Sequence, residues 1–157
     1  LPTDETAIPY GAPAAVAGTP MDFSTPHLIG ERIDTDTDQL RWARGYDHTY
    51  ILDKELGKLA IASRCSSPKT GIVMEVYTDQ PGVQLYTGNW MSGNLRGKHD
   101  HRYPARAALC LETQHYPDSP NKPEYPSTRL NPGETFRSTT IFRFTLQLTN
   151  KIHSHKQ

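Results

Sequence analysis

Net charge is the first thing this sequence lacks: 17 basic and 17 acidic residues balance among 157. A balanced chain has no electrostatic footprint for nucleic acid or an acidic membrane surface. Long apolar runs are missing too; none reaches the roughly 18 residues that a membrane-crossing helix needs. The chain opens LPTDETAIPYG, without the basic and apolar regions of a signal peptide. Cysteine is scarce, and Cys65 and Cys110 do not make a disulfide framework. The expectation is free, buried thiols in a reducing compartment, which points to the cytoplasm. No glycine-rich phosphate loop, serine nucleophile elbow, internal repeat or low-complexity tract is present. The length suits one domain, or part of a larger one.

What the sequence does have is period two. In TFRSTTIFRFTLQLT, Phe136, Phe142, Phe144, Leu146 and Leu148 share one parity, while Arg137, Thr139, Arg143, Thr145, Gln147 and Thr149 share the other. This alternation predicts a half-buried strand, of the outer kind. Further strands are predicted over 46–53, 57–64, 71–79, 83–88 and 106–113, separated by turn signals at Ser67-Pro68, Gln80-Pro81-Gly82 and Asn131-Pro132-Gly133. Short helical turns fit only 38–44 and 24–33, the second with Ser24 or Thr25 as N-cap before Pro26. The fold class is therefore all-β, a sandwich or barrel. Residues 116–134 carry five prolines, and a long ordered loop of this kind is either a plain surface connection or the wall of a site.

Strand alternation also says where polar groups emerge. Val83 and Leu85 point one way, and Gln84 and Tyr86 the other; Leu109 and Leu111 oppose Cys110, Glu112 and Gln114. With the Val and Leu faces on a core, Gln84 and Glu112 stand on the far face of the sheet. Such a face suits sugar, whose hydroxyls need paired donors and acceptors and whose C–H faces stack on aromatic rings. Spacing alone also allows Glu112 to be a solvated sheet residue with no task, and favours that reading. The pairs His99/His101 and His153/His155 have no third ligand at a diagnostic spacing, so no metal site is expected. His48, beside Asp47, is a better candidate for a site, but one residue does not decide it.

Several strings occur together in one order: LPTDETAIPYG, AGTPMDF, IGERI, GYDHTYIL, MEVYTD, QPGVQLYTGN, CLETQHYPDSPN and YPSTRLNPGE. From Leu1 to about Phe144 the chain resembles the C-terminal half of the aldose 1-epimerase (galactose mutarotase) family. PGVQLYTGN and CLETQ with its following Pro-Asp carry most of the likeness. The related hexose-6-phosphate epimerases are not similar in these two strings. The resemblance implies part of a β-supersandwich with an open, concave site, so that 1–157 is a single partial domain. It implies an isomerase that interconverts the anomers of free hexoses such as glucose and galactose, with a monosaccharide as partner and no cofactor or metal. By motif, Glu112 is the general base, and Asp47 and Gln84 bind substrate. The family's general-acid histidine, a second histidine and a sugar-binding arginine lie upstream of LPTDET, so none maps onto this chain, and His48 reads as a neighbour of Asp47. The resemblance therefore implies a chain that is inactive alone and needs the N-terminal half, as a separate chain or as the rest of a longer product. The competing expectations are a sugar-binding or sugar-sensing protein of the same fold and a structural β-module without ligand.

Overall fold

A computed structural model describes residues 1–147; the expectations for Leu148, Thr149, His153 and His155 lie outside that range. Strands outnumber helices, as the alternation predicts, and the strand pairings among the described residues are antiparallel. Strands β1 (Asp47–Ile51), β4 (Gly82–Tyr86) and β7 (Cys110–Gln114) form one sheet in the order β1-β4-β7. Strands β2 (Ala60–Ser66), β3 (Ile72–Thr78) and β8 (Thr140–Leu146) form a second, in the order β2-β3-β8. A ribbon pairs β5 (Ser92–Arg96) with β6 (Arg102–Pro104).

The core lies on one face of the β1-β4-β7 sheet. Leu85 packs there with Ile33, Leu40 and Tyr46, flanked by Met21, Phe23, Ile29, Tyr50 and Leu111. Helix α1 (Asp38–Ala43) brings Leu40 to this cluster. Thr37 caps its N-terminus, accepting from the Leu40 amide at 3.5 Å, and Arg44 ends it in the left-handed region at φ 58°. Gly45 follows at φ 143°, where an added Cβ would fall 2.4 Å from Asn89 Oδ1. The Asn89 amide in turn donates to the carbonyls of Ala43 and Tyr46, both at 2.9 Å. This clasp delivers the chain from α1 into β1 with Tyr46 fully buried.

Four expectations are corrected. No helix starts at Ser24 or Thr25, because the Asp22 carboxylate takes both the amide (3.0 Å) and the hydroxyl (2.5 Å) of Ser24; a 3-10 turn forms only at Ile29–Glu31. The strand expected over 106–113 begins at Cys110, since Arg106 turns to φ 64° and its guanidinium reaches Asp34 at 2.8 and 3.1 Å. Cys110 is exposed and Cys65 only half-buried, rather than both being buried; the parity that brings Glu112 to the surface brings Cys110 with it. Finally, β8 is exposed along its length apart from Thr140 instead of half-buried. Ile72, Phe142, Phe144 and Leu146 share one face of the β2-β3-β8 sheet, and the last two are 64% and 72% exposed. Soluble domains rarely leave so continuous an apolar strip open to water.

Candidate functional site

The β1-β4-β7 sheet has a polar face opposite its core. Register sets its composition: Thr49 lies opposite Gln84, Gln84 opposite Glu112, and Asp47 opposite Tyr86. Side chains alternate along each strand, so Asp47, Thr49, Gln84, Tyr86, Cys110, Glu112 and Gln114 all belong to this face. His48, Tyr50, Val83, Leu85 and Leu111 belong to the other. The three residues expected at the site are therefore brought together, one from each strand.

Hydrogen bonds tie two of them. Gln84 Nε2 donates to Asp47 Oδ1 at 2.7 Å, and the Thr49 hydroxyl donates to Gln84 Oε1. Asp47 and Gln84 are half-buried and Glu112 is exposed. Glu112 stands directly across from Gln84, where facing side chains leave their Cβ atoms about 5 Å apart. The face thus presents a carboxylate, a carboxamide and a second carboxylate, a suitable pattern of acceptors and donors for vicinal hydroxyls. Tyr86 extends the same face, and its hydroxyl accepts from the Trp90 amide at 3.1 Å. Trp90 is exposed and stacks under the Arg44 guanidinium, 4.5 Å from its ring centre.

His48 points into the core. It is 4% exposed, and its Nδ1 accepts from the Asp47 amide at 3.0 Å. The ring proton therefore sits on Nε2, on the buried side of the ring. Burial pushes the imidazole down to about 4, leaving it neutral at physiological pH and unsuited to donating protons on the polar face. His99 and His101 lie beside the β5–β6 ribbon, with ring centres 6.5 Å apart. Among the described residues no group of three or more His, Cys, Asp or Glu is placed to hold a metal.

The proline-rich connection joins β7 to β8 with a single 3-10 turn at Ser119–Asn121. Its first ring, Tyr116, comes down on Gly82: an added Cβ there would meet Tyr116 ring carbons at 3.2 Å and Thr49 Cγ2 at 2.9 Å. Tyr116 packs edge-on against the buried Tyr125, with ring centres 5.2 Å apart. The loop thus closes one end of the sheet face, at the Gly82 row. Sequence reasoning left out Thr49 and Tyr116. Thr49 was within reach, because it stands two residues after Asp47 and shares its parity; Tyr116 gives no such signal.

A sequence model of the aldose 1-epimerase family matches residues 1–143. The chain belongs to the aldose 1-epimerase family. It is 43% identical over 146 residues to galactose mutarotase of Mus musculus, a match covering 93% of this chain and 41% of the mouse protein. Against aldose 1-epimerase of Escherichia coli K12 the identity is 37% over 147 residues, covering 92% of this chain and 42% of the bacterial one. The chain therefore spans about two-fifths of the length of these relatives. The crystal structure of an aldose epimerase homologue from C. elegans superposes with a TM-score of 0.72 at 24% identity, over 92% of this chain and 42% of that one. That likeness shows the fold, as does a TM-score of 0.58 with galactose 1-epimerase of Lactobacillus acidophilus at 22% identity, over 93% and 41% of the two chains. Among the described residues no helix is long and apolar enough to cross a membrane.

Proposed function

We propose that this chain carries the base-bearing side of an aldose 1-epimerase site, acting on free hexoses such as glucose and galactose. The observation that carries the reading is that Asp47, Gln84 and Glu112 share one sheet face, with Gln84 registered opposite Glu112 and diagonal to Asp47. Glu112 takes the proton of the anomeric hydroxyl. The released electron pair forms the C1 carbonyl while the C1–ring-oxygen bond breaks, and the ring oxygen takes a proton from a general acid. Rotation about C1–C2 and reclosure on the other face of the carbonyl then deliver the opposite anomer. Asp47 and Gln84 hold hydroxyls of the sugar, so the ring is fixed while the anomeric end moves.

An anomeric hydroxyl is far less acidic than a carboxylic acid of ordinary pKa near 4.3, so proton removal has to be coupled to protonation of the ring oxygen. The acid is a histidine from the part of the epimerase domain that the relatives have and this chain does not span. That same part covers the apolar strip of Phe142, Phe144 and Leu146. Whether it is a second chain or the rest of a longer product, the site is complete only with it. A cytoplasmic setting fits the two unpaired thiols. The test is polarimetric mutarotation of α-glucose and α-galactose by the full gene product and its Glu112→Gln variant. A fall of about 10²-fold or more is expected for loss of a general base; an unchanged rate overturns the assignment.

A further inference from the structure

Thr49 is 3% exposed, yet it belongs to the polar face. Its methyl sits over Gly82, where an added Cβ would approach Cγ2 to 2.9 Å, and its hydroxyl donates to Gln84 Oε1. A β-branched residue has few χ1 choices, so seating the methyl on the bare glycine turns the hydroxyl toward the carboxamide. The other end of that carboxamide donates to Asp47 Oδ1 at 2.7 Å. Asp47 is acceptor-only, so it dictates which end of the amide is nitrogen; Thr49 then pins the oxygen.

We infer that Thr49 is a positioning residue for sugar binding, holding the Gln84 carboxamide between itself and Asp47 so that one N–H and one oxygen lone pair remain aimed at the sugar. This rests on the epimerase reading for its substrate. The consequence for the site is a fixed order of groups: the outer oxygen of Asp47 accepts, the second N–H of Gln84 donates, and Glu112 accepts. Without Thr49 the amide swings about its last torsion, which is a broad one, and the central donor is no longer set before the sugar arrives. Preorganisation of this kind favours affinity more than the chemical step.

The experiment compares Thr49→Val and Thr49→Ser in the full gene product by mutarotation kinetics with galactose and by the side-chain amide NMR cross-peaks of Gln84 without sugar. Valine keeps the shape and removes the donor; serine keeps the donor. Thr49→Val is expected to raise KM about three- to tenfold, the worth of one neutral hydrogen bond, with kcat and its pH profile nearly unchanged. The Gln84 cross-peaks move in Thr49→Val and return in Thr49→Ser, as does KM. Wild-type KM and cross-peaks in Thr49→Val, or a serine variant as impaired as the valine one, overturn the inference. If the wild-type product neither turns over nor binds galactose or glucose, the epimerase reading falls and the cross-peaks alone decide Thr49: displaced in Thr49→Val and restored in Thr49→Ser upholds its positioning of Gln84, and unmoved overturns it.

Discussion

Gln84 and Asp47 are joined diagonally across β1 and β4: the Gln84 amide donates 2.7 Å to Asp47 Oδ1, although its directly registered partner is Thr49. Diagonal neighbours in a sheet lie about 7 Å apart at the backbone, a gap that a glutamine spans and a serine or asparagine does not. One side chain thereby contacts two residues of β1 while standing across from Glu112 on β7.

Replacing Asp47 with asparagine should disturb this more than the loss of one charge suggests. Asparagine offers either end of its own amide, so Gln84 is no longer told which way to face. Hydrogen bonds to charged groups are worth about 1.5–3 kcal/mol, so kcat/KM of the full product should fall roughly 10- to 100-fold. Polarimetry checks this, with circular dichroism to show that the fold persists. A value within twofold of wild type contradicts the role of Asp47.

Gly82→Ala tests the packing beneath the site. Its Cβ would lie 2.9 Å from Thr49 Cγ2 and 3.2 Å from the Tyr116 ring, so both neighbours must give way. Overpacking of this kind costs about 1–3 kcal/mol. Denaturant titration of the full product should register that loss, and unchanged stability contradicts the tight packing of Thr49 and Tyr116 on Gly82.

The buried imidazole predicts an acid-sensitive fold. Burial lowers His48 from 6.5 to about 4, so between those values the unfolded state binds more protons than the folded one. Stability therefore rises with pH across this window and is lost as pH falls from about 6.5 toward 4. The ceiling is about 3 kcal/mol, from 1.36 kcal/mol per unit. Thermal unfolding at stepped pH measures the slope, which should flatten in His48→Gln; an equal slope in that variant would acquit His48.

The open strip on β8 makes a prediction about association. Phe144 and Leu146 are among the most exposed apolar side chains of the described residues, on a sheet edge that also offers unpaired backbone groups. The 157 residues expressed alone should self-associate with rising concentration, and Phe144→Lys should reduce this in sedimentation velocity. In the full product the same substitution should instead destabilise, because the face is then covered. A chain that stays monomeric at high concentration counts against a missing cover.

Parity made much of the site legible. Alternation in VQLYTG and CLETQ separates Gln84 and Glu112 from the leucines that reach the core, because a strand has a strict period of two. The β5–β6 ribbon was not legible: GNLRGKHDHRYP has no period, and its turn relies on left-handed backbone at His99 and Asp100, at φ 54° and 62°. The early part of 106–113 was misread for a different reason. Arg106 is drawn out of the strand by Asp34, 72 residues away, and local pattern carries no trace of so distant a partner.

The sequence by itself determined which side chains of a strand share a face and which of the two faces is apolar, since both follow from side-chain alternation along each segment. Through its motifs it also determined the family. Only the tertiary structure decided that Thr49, Gln84 and Glu112 form one row and that Tyr116 closes its end. Those relations depend on the register between strands about 30 residues apart, which is set by how the intervening loops pack and not by any one strand. It was also the tertiary structure that left the Phe142–Leu146 face uncovered. A strand's pattern states that a face is apolar; only its neighbours state what lies against it.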